Sequence, residues 1–293
     1  MKISDFIELL LLAALWGAAF LFMRVAAPVL GPIWLIEFRV LFAGLVLLPI
    51  LARLQLLGQI RQHFPTLVLI GGLNAALPYS LFAFAASFLP AGFTSILNAT
   101  TPLFGIVVAS LWLKEKLTIS RILGFVLGFT GVVILVGWKT VTAEASFFLA
   151  VAAGLVAALM YAIGAPVIKY NLSEIPALVV TSGSLLGAAL VLLPLLPFTV
   201  PQTIPSVTVI ASAIALSLLS TVLAYILYLR LLQNIGSTKT LTVAYLIPFF
   251  AMFWGAIILG ETITLSTIVG CAFVLLGTAI ANDLFVSLRR SFD

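Results

Sequence analysis

The chain has 293 residues, 63% of them apolar and only 8% charged, with a formal net charge of +5 and a mean hydropathy of +1.32. A soluble domain carries about 25% charged residues, so no water-facing surface can be assembled from this composition and every soluble class is excluded. The length suits roughly ten to twelve bilayer-spanning helices with short connections, and Gly and Pro spread through long apolar runs fit helices better than alternating barrel strands.

Charges, prolines and polar clusters divide the sequence into ten apolar segments, at residues 5–27, 33–53, 65–88, 91–113, 119–138, 146–169, 175–196, 206–232, 238–260 and 264–286. Segment 1 ends in small residues, as a secretory leader would. Its apolar stretch is too long for one and follows Asp5 and Glu8, so it is read as a helix. Segment 2 holds Glu37 and Arg39; two residues apart on a helix, they point about 200° away from each other and are not expected to pair. Arg39 is expected to snorkel outward or bond a neighbour's carbonyls, and Glu37 is a candidate proton-coupling residue. The polar stretch before segment 3 carries the lone His63, read as a solvated loop residue, and segment 10 carries the lone Cys271, read as core packing. With one His and one Cys far apart, no metal ligand set, disulfide or cofactor is expected.

Positive charge gathers on cytoplasmic loops. With the N-terminus inside, the cytoplasmic side receives Lys2, Arg53, Arg61, Lys114, Lys116, Arg121, Lys169, Arg230, Lys239, Arg289 and Arg290, whereas Arg24 and Lys139 fall outside. Both termini are therefore expected to be cytoplasmic.

Sliding the chain by 146 residues sets Pro102 on Pro248, Glu115 on Glu261, Thr118 on Thr264, Gly124 on Gly270 and Gly131 on Gly277. Over Pro102 to Ile134 this register gives about 10 identities in 33 positions. Apolar composition scatters Leu and Val matches but does not align Pro, Glu and spaced Gly. An offset of 145 also brings Leu45–Pro49 onto Leu190–Pro194. The expected fold is thus an all-α integral membrane protein of ten transmembrane helices in two five-helix repeats, residues 1–139 and 140–293. Five is odd, so the second repeat runs inverted through the membrane. Inverted repeats are the construction of secondary transporters, with the site near the midplane between the halves.

The aromatic-Gly pair and Arg39 in LWGAAFLFMRVAAPVLGPIWLIEFRVLFAGLVLLP, with the Pro…Glu-Lys-Leu-Thr…Gly…Gly-Val-Val unit of segments 4 and 5, resemble the EamA-type family of the drug/metabolite transporter superfamily. Segments 9 and 10 carry the unit again. The resemblance covers essentially the whole chain and implies ten helices in two inverted halves. For bacterial members it implies export of amino acids, related metabolites or drugs; the sequence looks most like the amino-acid and aromatic-metabolite exporters. Segments 6 and 7 depart most from the pattern.

Polar groups facing lipid are costly, so polar and aromatic residues deep in the spans mark candidate binding positions. These are Trp16, Phe20, Asn74, Tyr79, Phe82, Asn98, Thr101, Tyr161, Ser220, Thr221, Tyr225 and Tyr245, with Ser217 at similar depth. Tyr79 falls on Tyr225 in the 146 register, which should set the two phenols across a cavity from each other. Each tyrosine can equally be a buried ring bonding a carbonyl, each Asn interhelical glue, and each hydroxyl a bond back to its own helix. Pro78, Pro102 and Pro248 interrupt spans and are candidate hinges, Pro102 and Pro248 as a matched pair of kinks. Gly124, Gly128, Gly131, Gly270 and Gly277 suit close packing of segments 5 and 10. Glu115 and Glu261 are expected to accept N–H bonds in their turns, and Thr118 and Thr264 to cap the helices that follow.

No Lys, Arg, Asp or Glu falls at the midplane, which counts against a phosphate or nucleotide-sugar carrier. The expectation is a carrier of amino acids, aromatic ones included, or of related neutral or zwitterionic metabolites, in the bacterial inner membrane. Its partners are a small-molecule substrate and lipid, with no nucleic acid, and the chain is expected to act as a monomer. Proton-coupled multidrug efflux through Glu37 is the alternative. A membrane enzyme needs clustered acids, His or Cys, and a channel needs a charge ring or Gly-rich filter; neither pattern is present.

Overall fold

The computed structural model describes residues 2–112, 114–137 and 144–282. Lys139, Arg289, Arg290, the expected boundary between 139 and 140 and the end of segment 10 lie outside the described residues.

Eight helices are long and apolar enough to cross a membrane: α1 (Ile3–Leu30), α2 (Pro32–Arg53), α3 (Phe64–Phe88), α4 (Ala91–Trp112), α5 (Ile119–Gly137), α6 (Ala145–Leu172), α7 (Ala177–Phe198) and α8 (Val207–Ser237). Two shorter apolar helices follow, α9 (Val243–Leu259) and α10 (Leu265–Ala281). No strand occurs among the described residues. Each helix coincides with one expected apolar segment to within a few residues. The polar linker ahead of α3 is not a plain loop: Leu57–Gln62 form a short helix closed by His63.

Three helices are interrupted internally. α3 contains a π turn over Gly72–Ala76 and α8 another over Leu218–Leu223. α4 breaks between Asn98 and Thr101 and restarts as Thr101–Trp112. Pro102 is therefore the second residue of a helical restart, where its missing N–H would have had no partner, whereas Pro248 lies inside the continuous α9. The two prolines share a register but not a position within their helices.

α1 packs against α9, α8 and α3; α6 packs against α3 and α4. α2 rests on α7 and α8, α7 on α3, and α4 on α9, so the main buried cluster runs between α1, α2, α3, α7 and α8. Large apolar side chains such as Leu45, Leu69, Ile257 and Ile268 point outward, as a lipid-facing surface requires. α5 and α10 form the tightest pair. A Cβ added at Gly124, Gly131, Gly270 or Gly277 would meet the partner helix within 3.0 Å, so these backbones touch directly. Ser120 at the start of α5 donates to the carbonyl of Ile280 at the end of α10 (2.9 Å), which makes the two helices antiparallel.

The turns before α5 and α10 repeat each other in their backbone and capping bonds. Glu115 N donates to Ala109 O (3.2 Å) and Glu261 N to Gly255 O (3.1 Å). Thr118 and Thr264 each accept from the backbone N–H three residues on, at 3.3 Å, and so cap the following helices as their spacing predicts.

Candidate functional site

The two π turns stand beside the candidate residues of α3 and α8. A π turn widens the helix by one residue and leaves polar groups aimed away from the regular ladder, a geometry often found at functional sites. In α8, Ser217, Ser220 and Thr221 are fully buried, and their hydroxyls are spent on tethering neighbours. Ser217 Oγ donates to the carbonyl of Arg39 (3.0 Å) and Ser220 Oγ to that of Leu15 (2.6 Å). Thr221 Oγ1 donates within its own helix to Leu216 O (3.0 Å), spanning the π turn. In α3 the carboxamide of Asn74 lies over Gly164 of α6, where even a methyl group would collide with its oxygen.

Three residues beyond the α3 π turn stands Tyr79 and two beyond the α8 π turn stands Tyr225, and their hydroxyls meet at 3.1 Å. The expectation placed these phenols across a cavity; they are in direct contact instead. Two aromatic triads flank that contact. Trp16 lies 6.3 Å from Tyr225 and 5.3 Å from Tyr228, ring centre to ring centre. Tyr161 lies 6.1 Å from Tyr79 and 5.8 Å from Phe82. Phe20 extends the second triad edge-on to Phe82 at 6.1 Å. Tyr228 escaped the sequence reading, although the same 146-residue step that joins Tyr79 to Tyr225 carries Phe82 onto it.

Arg39 belongs to this centre, contrary to the expectation that it would snorkel or bond a neighbour's carbonyls and that no charged group would lie among the candidate residues. Only 6% exposed, it places its guanidinium carbon 3.9 Å from the centre of the Tyr79 ring, and its Nε donates to Thr221 Oγ1 (2.9 Å). Counting backbone depth along α2 missed this because a long side chain carries its charge several ångströms from its own Cα. Among the described residues no carboxylate lies within 4.0 Å of the guanidinium. Glu37, on another face of α2, is equally enclosed at 5%, and its Oε2 has no hydrogen-bond partner among the described residues.

The remaining candidates lie apart from the rings. Half-buried Asn98 ends the first part of α4, its carbonyl accepting from Thr101 Oγ1 (2.7 Å), so this hydroxyl bonds back to its own helix. Tyr245 on α9 takes no part in the ring cluster among the described residues. Pro78 is buried directly after the α3 π turn, two residues into the α-helical stretch that restarts there.

Comparison with known proteins decides the family. The EamA-like transporter family matches residues 6–137 and 148–282. The chain belongs to that family. It is 24% identical over 281 residues to an uncharacterized transporter of Archaeoglobus fulgidus, covering 94% of this chain and 98% of the relative. It is 25% identical over 295 residues, 99% of this chain and 97% of the relative, to a Streptantibioticus cattleyicolor protein named "Probable terminal-alkyne amino-acid exporter". A crystal structure with 17% identity superposes with a TM-score of 0.67 over 98% of this chain and 99% of its own length, and so shares the fold. Family and apolar helices together make this a multi-pass membrane protein of a transporter family.

One end of this EamA-like bundle is clasped. Both carboxylate oxygens of Glu261 accept from the backbone N–H of Ala91, at 3.1 and 3.0 Å, and Arg24 Nε lies 3.7 Å from Oε1. Arg24 Nη1 also donates to the carbonyls of Ala86 and Ser87 at the end of α3 (3.1 and 2.8 Å). The clasp therefore binds the α9–α10 turn to α1, α3 and the start of α4, and it borders a cavity of about 340 Å³. The expectation that Glu261 would serve its own turn gives way to a bond 170 residues distant. Its register mate Glu115 does not match it: the carboxylate is 45% exposed and pairs with Arg121 (2.9 Å) in its own connection.

Proposed function

We propose that the chain is a secondary transporter, an exporter or facilitator, that moves amino acids, aromatic ones included, or related neutral and zwitterionic metabolites across the bacterial inner membrane. In this reading ten helices form two inverted halves, residues 1–139 and 140–293, both termini are cytoplasmic, and substrate binds between the halves. The observation that carries it is the paired aromatic centre: Trp16, Tyr225 and Tyr228 on one side and Tyr161, Tyr79 and Phe82 on the other, joined at the Tyr79–Tyr225 hydroxyls. Exchanging the halves exchanges these triads, and it also exchanges the α1–α9 contact with the α6–α4 contact. The antiparallel α5–α10 seam maps onto itself, Gly124 with Gly277 becoming Gly270 with Gly131. Two separate family matches, 6–137 and 148–282, support the same division. The rings and amides suit substrates with an apolar body, and the relative named as an amino-acid exporter supports that class.

Alternating access is the mechanism of this reading, and the unequal ends support it. The Glu261 clasp closes the outer end, and Glu115, which would make the equivalent clasp in the opposite state, stands released toward the cytoplasm. Purified protein in liposomes should take up labelled amino acids in a saturable, competitor-sensitive way; flat uptake across a broad panel contradicts the reading. The second reading, proton-coupled drug efflux, is favoured by the unpartnered Glu37 carboxyl oxygen. An imposed pH gradient separates the two: a facilitator ignores it, and a proton exchanger accumulates substrate against it.

A further inference from the structure

Among the described residues Arg39 is a cation with no anion within 4.0 Å. A charged group inside a membrane bundle is expensive, and where it persists it is normally paired or serves the substrate path. Three other arginines have acids, Arg24 with Glu261, Arg121 with Glu115 and Arg230 with Glu8, and Arg53 and Arg61 stand exposed, whereas Arg39 is buried. Arg39 has instead an aromatic face and a threonine oxygen. The Tyr79 ring attracts the guanidinium through its π face, which holds the group in place without neutralising it.

The geometry of the guanidinium is specific about what is left over. Its carbon lies 3.9 Å from the centre of the Tyr79 ring and its Nε is used by Thr221, so among the described residues the unused part is the fork of terminal amino groups, Nη1 and Nη2. Neither donates to a described atom, and neither is among the fully enclosed orphans, which are Glu8 Oε2, Glu37 Oε2 and Ser80 Oγ. The fork is therefore neither bonded nor sealed in, and it stands beside the Tyr79 ring whose hydroxyl meets that of Tyr225. A planar fork of donors matches the two oxygens of a carboxylate.

Resting on the transport reading above, we infer that Arg39 receives the carboxylate of the transported molecule, with Tyr79 as the platform that holds the guanidinium and Thr221 as the residue that fixes its rotation. The substrate class is an organic acid or amino acid carrying one carboxylate on an aromatic or apolar body. One cation balances one such charge, and the rings of Trp16 and Tyr161 receive the body. A substrate lacking the carboxylate leaves the buried charge uncompensated and should bind poorly.

The test is binding to the purified full-length protein, followed by tryptophan fluorescence, with two matched pairs: L-phenylalanine against L-phenylalaninamide, and 3-phenylpropionate against 3-phenylpropionamide. In the wild-type protein the acid of each pair should bind at least about tenfold more tightly than its amide, as loss of a charge-assisted hydrogen-bond pair implies. Arg39→Gln should bring acid and amide together, and Arg39→Lys should keep part of the difference. Equal affinity of acid and amide in the wild type, or no binding by any of the four, overturns the inference, and this comparison does not depend on how well a variant folds. The outcomes also separate the two readings. Discrimination confined to the phenylpropionate pair keeps the carboxylate site and defeats the amino-acid reading. Saturable phenylalanine uptake with no discrimination keeps that reading and defeats the site.

Discussion

Tyr79 and Tyr225 share one hydrogen bond, and each also supports a different neighbour, so their substitutions should not be equivalent. Tyr79→Ala removes the Tyr225 contact and the platform under Arg39 together, whereas Tyr225→Ala removes the hydroxyl contact and a ring beside Trp16. Both should reduce saturable uptake in liposomes without loss of expression, Tyr79→Ala by about tenfold or more because a cation–π contact and a buried hydrogen bond are lost at once. Tyr79→Phe keeps the ring and should fall between wild type and Tyr79→Ala. Unchanged uptake in both alanine variants would remove the phenols from the site. The pairing was legible in the sequence because the repeat register joins these residues. The role of Arg39 was not, since register and depth locate a Cα and say nothing of where a long side chain ends.

At the level of the helix, the tightest prediction concerns the α5–α10 seam. A methyl group at Gly277 would overlap the backbone of Gly128, which cannot retreat as a flexible side-chain tip could. Gly277→Ala should therefore destabilise the protein by about 1–3 kcal/mol, read as a lower unfolding midpoint in detergent. Gly105→Ala, where a Cβ meets nothing within 4 Å, is the matched control and should not lower it. The clasp makes a second prediction. Glu261→Ala frees Ala91 and Arg24 together, so a cysteine at Phe93, beside the cavity there, should react several-fold faster with an impermeant thiol reagent, in a Cys271→Ala background. Glu115→Ala should leave that rate unchanged, and equal rates in all three proteins would show that the clasp does not close this end. Spaced Gly and the Glu-x-x-Thr turns announced the seam and the capped turns from sequence alone. The π turns and the break in α4 did not show, because they depend on which neighbour each backbone group finds after packing rather than on local propensity.

For the whole molecule, composition and the placement of charges and prolines sufficed for the class and for the apolar segments. The unequal ends were invisible. Glu115 and Glu261 sit in near-identical sequences, and only their partners, a half-buried arginine of the same connection against a distant buried helix start, distinguish them. The central claim is that two opposed halves alternate access to one site between them. The direct measurement is thiol labelling of single cysteines, Glu115→Cys and Glu261→Cys, each in Cys271→Ala, from either face of sealed vesicles, with and without saturating substrate. The account predicts labelling from opposite faces and substrate-induced changes of opposite sign. Labelling from the same face, or changes of the same sign, would contradict it.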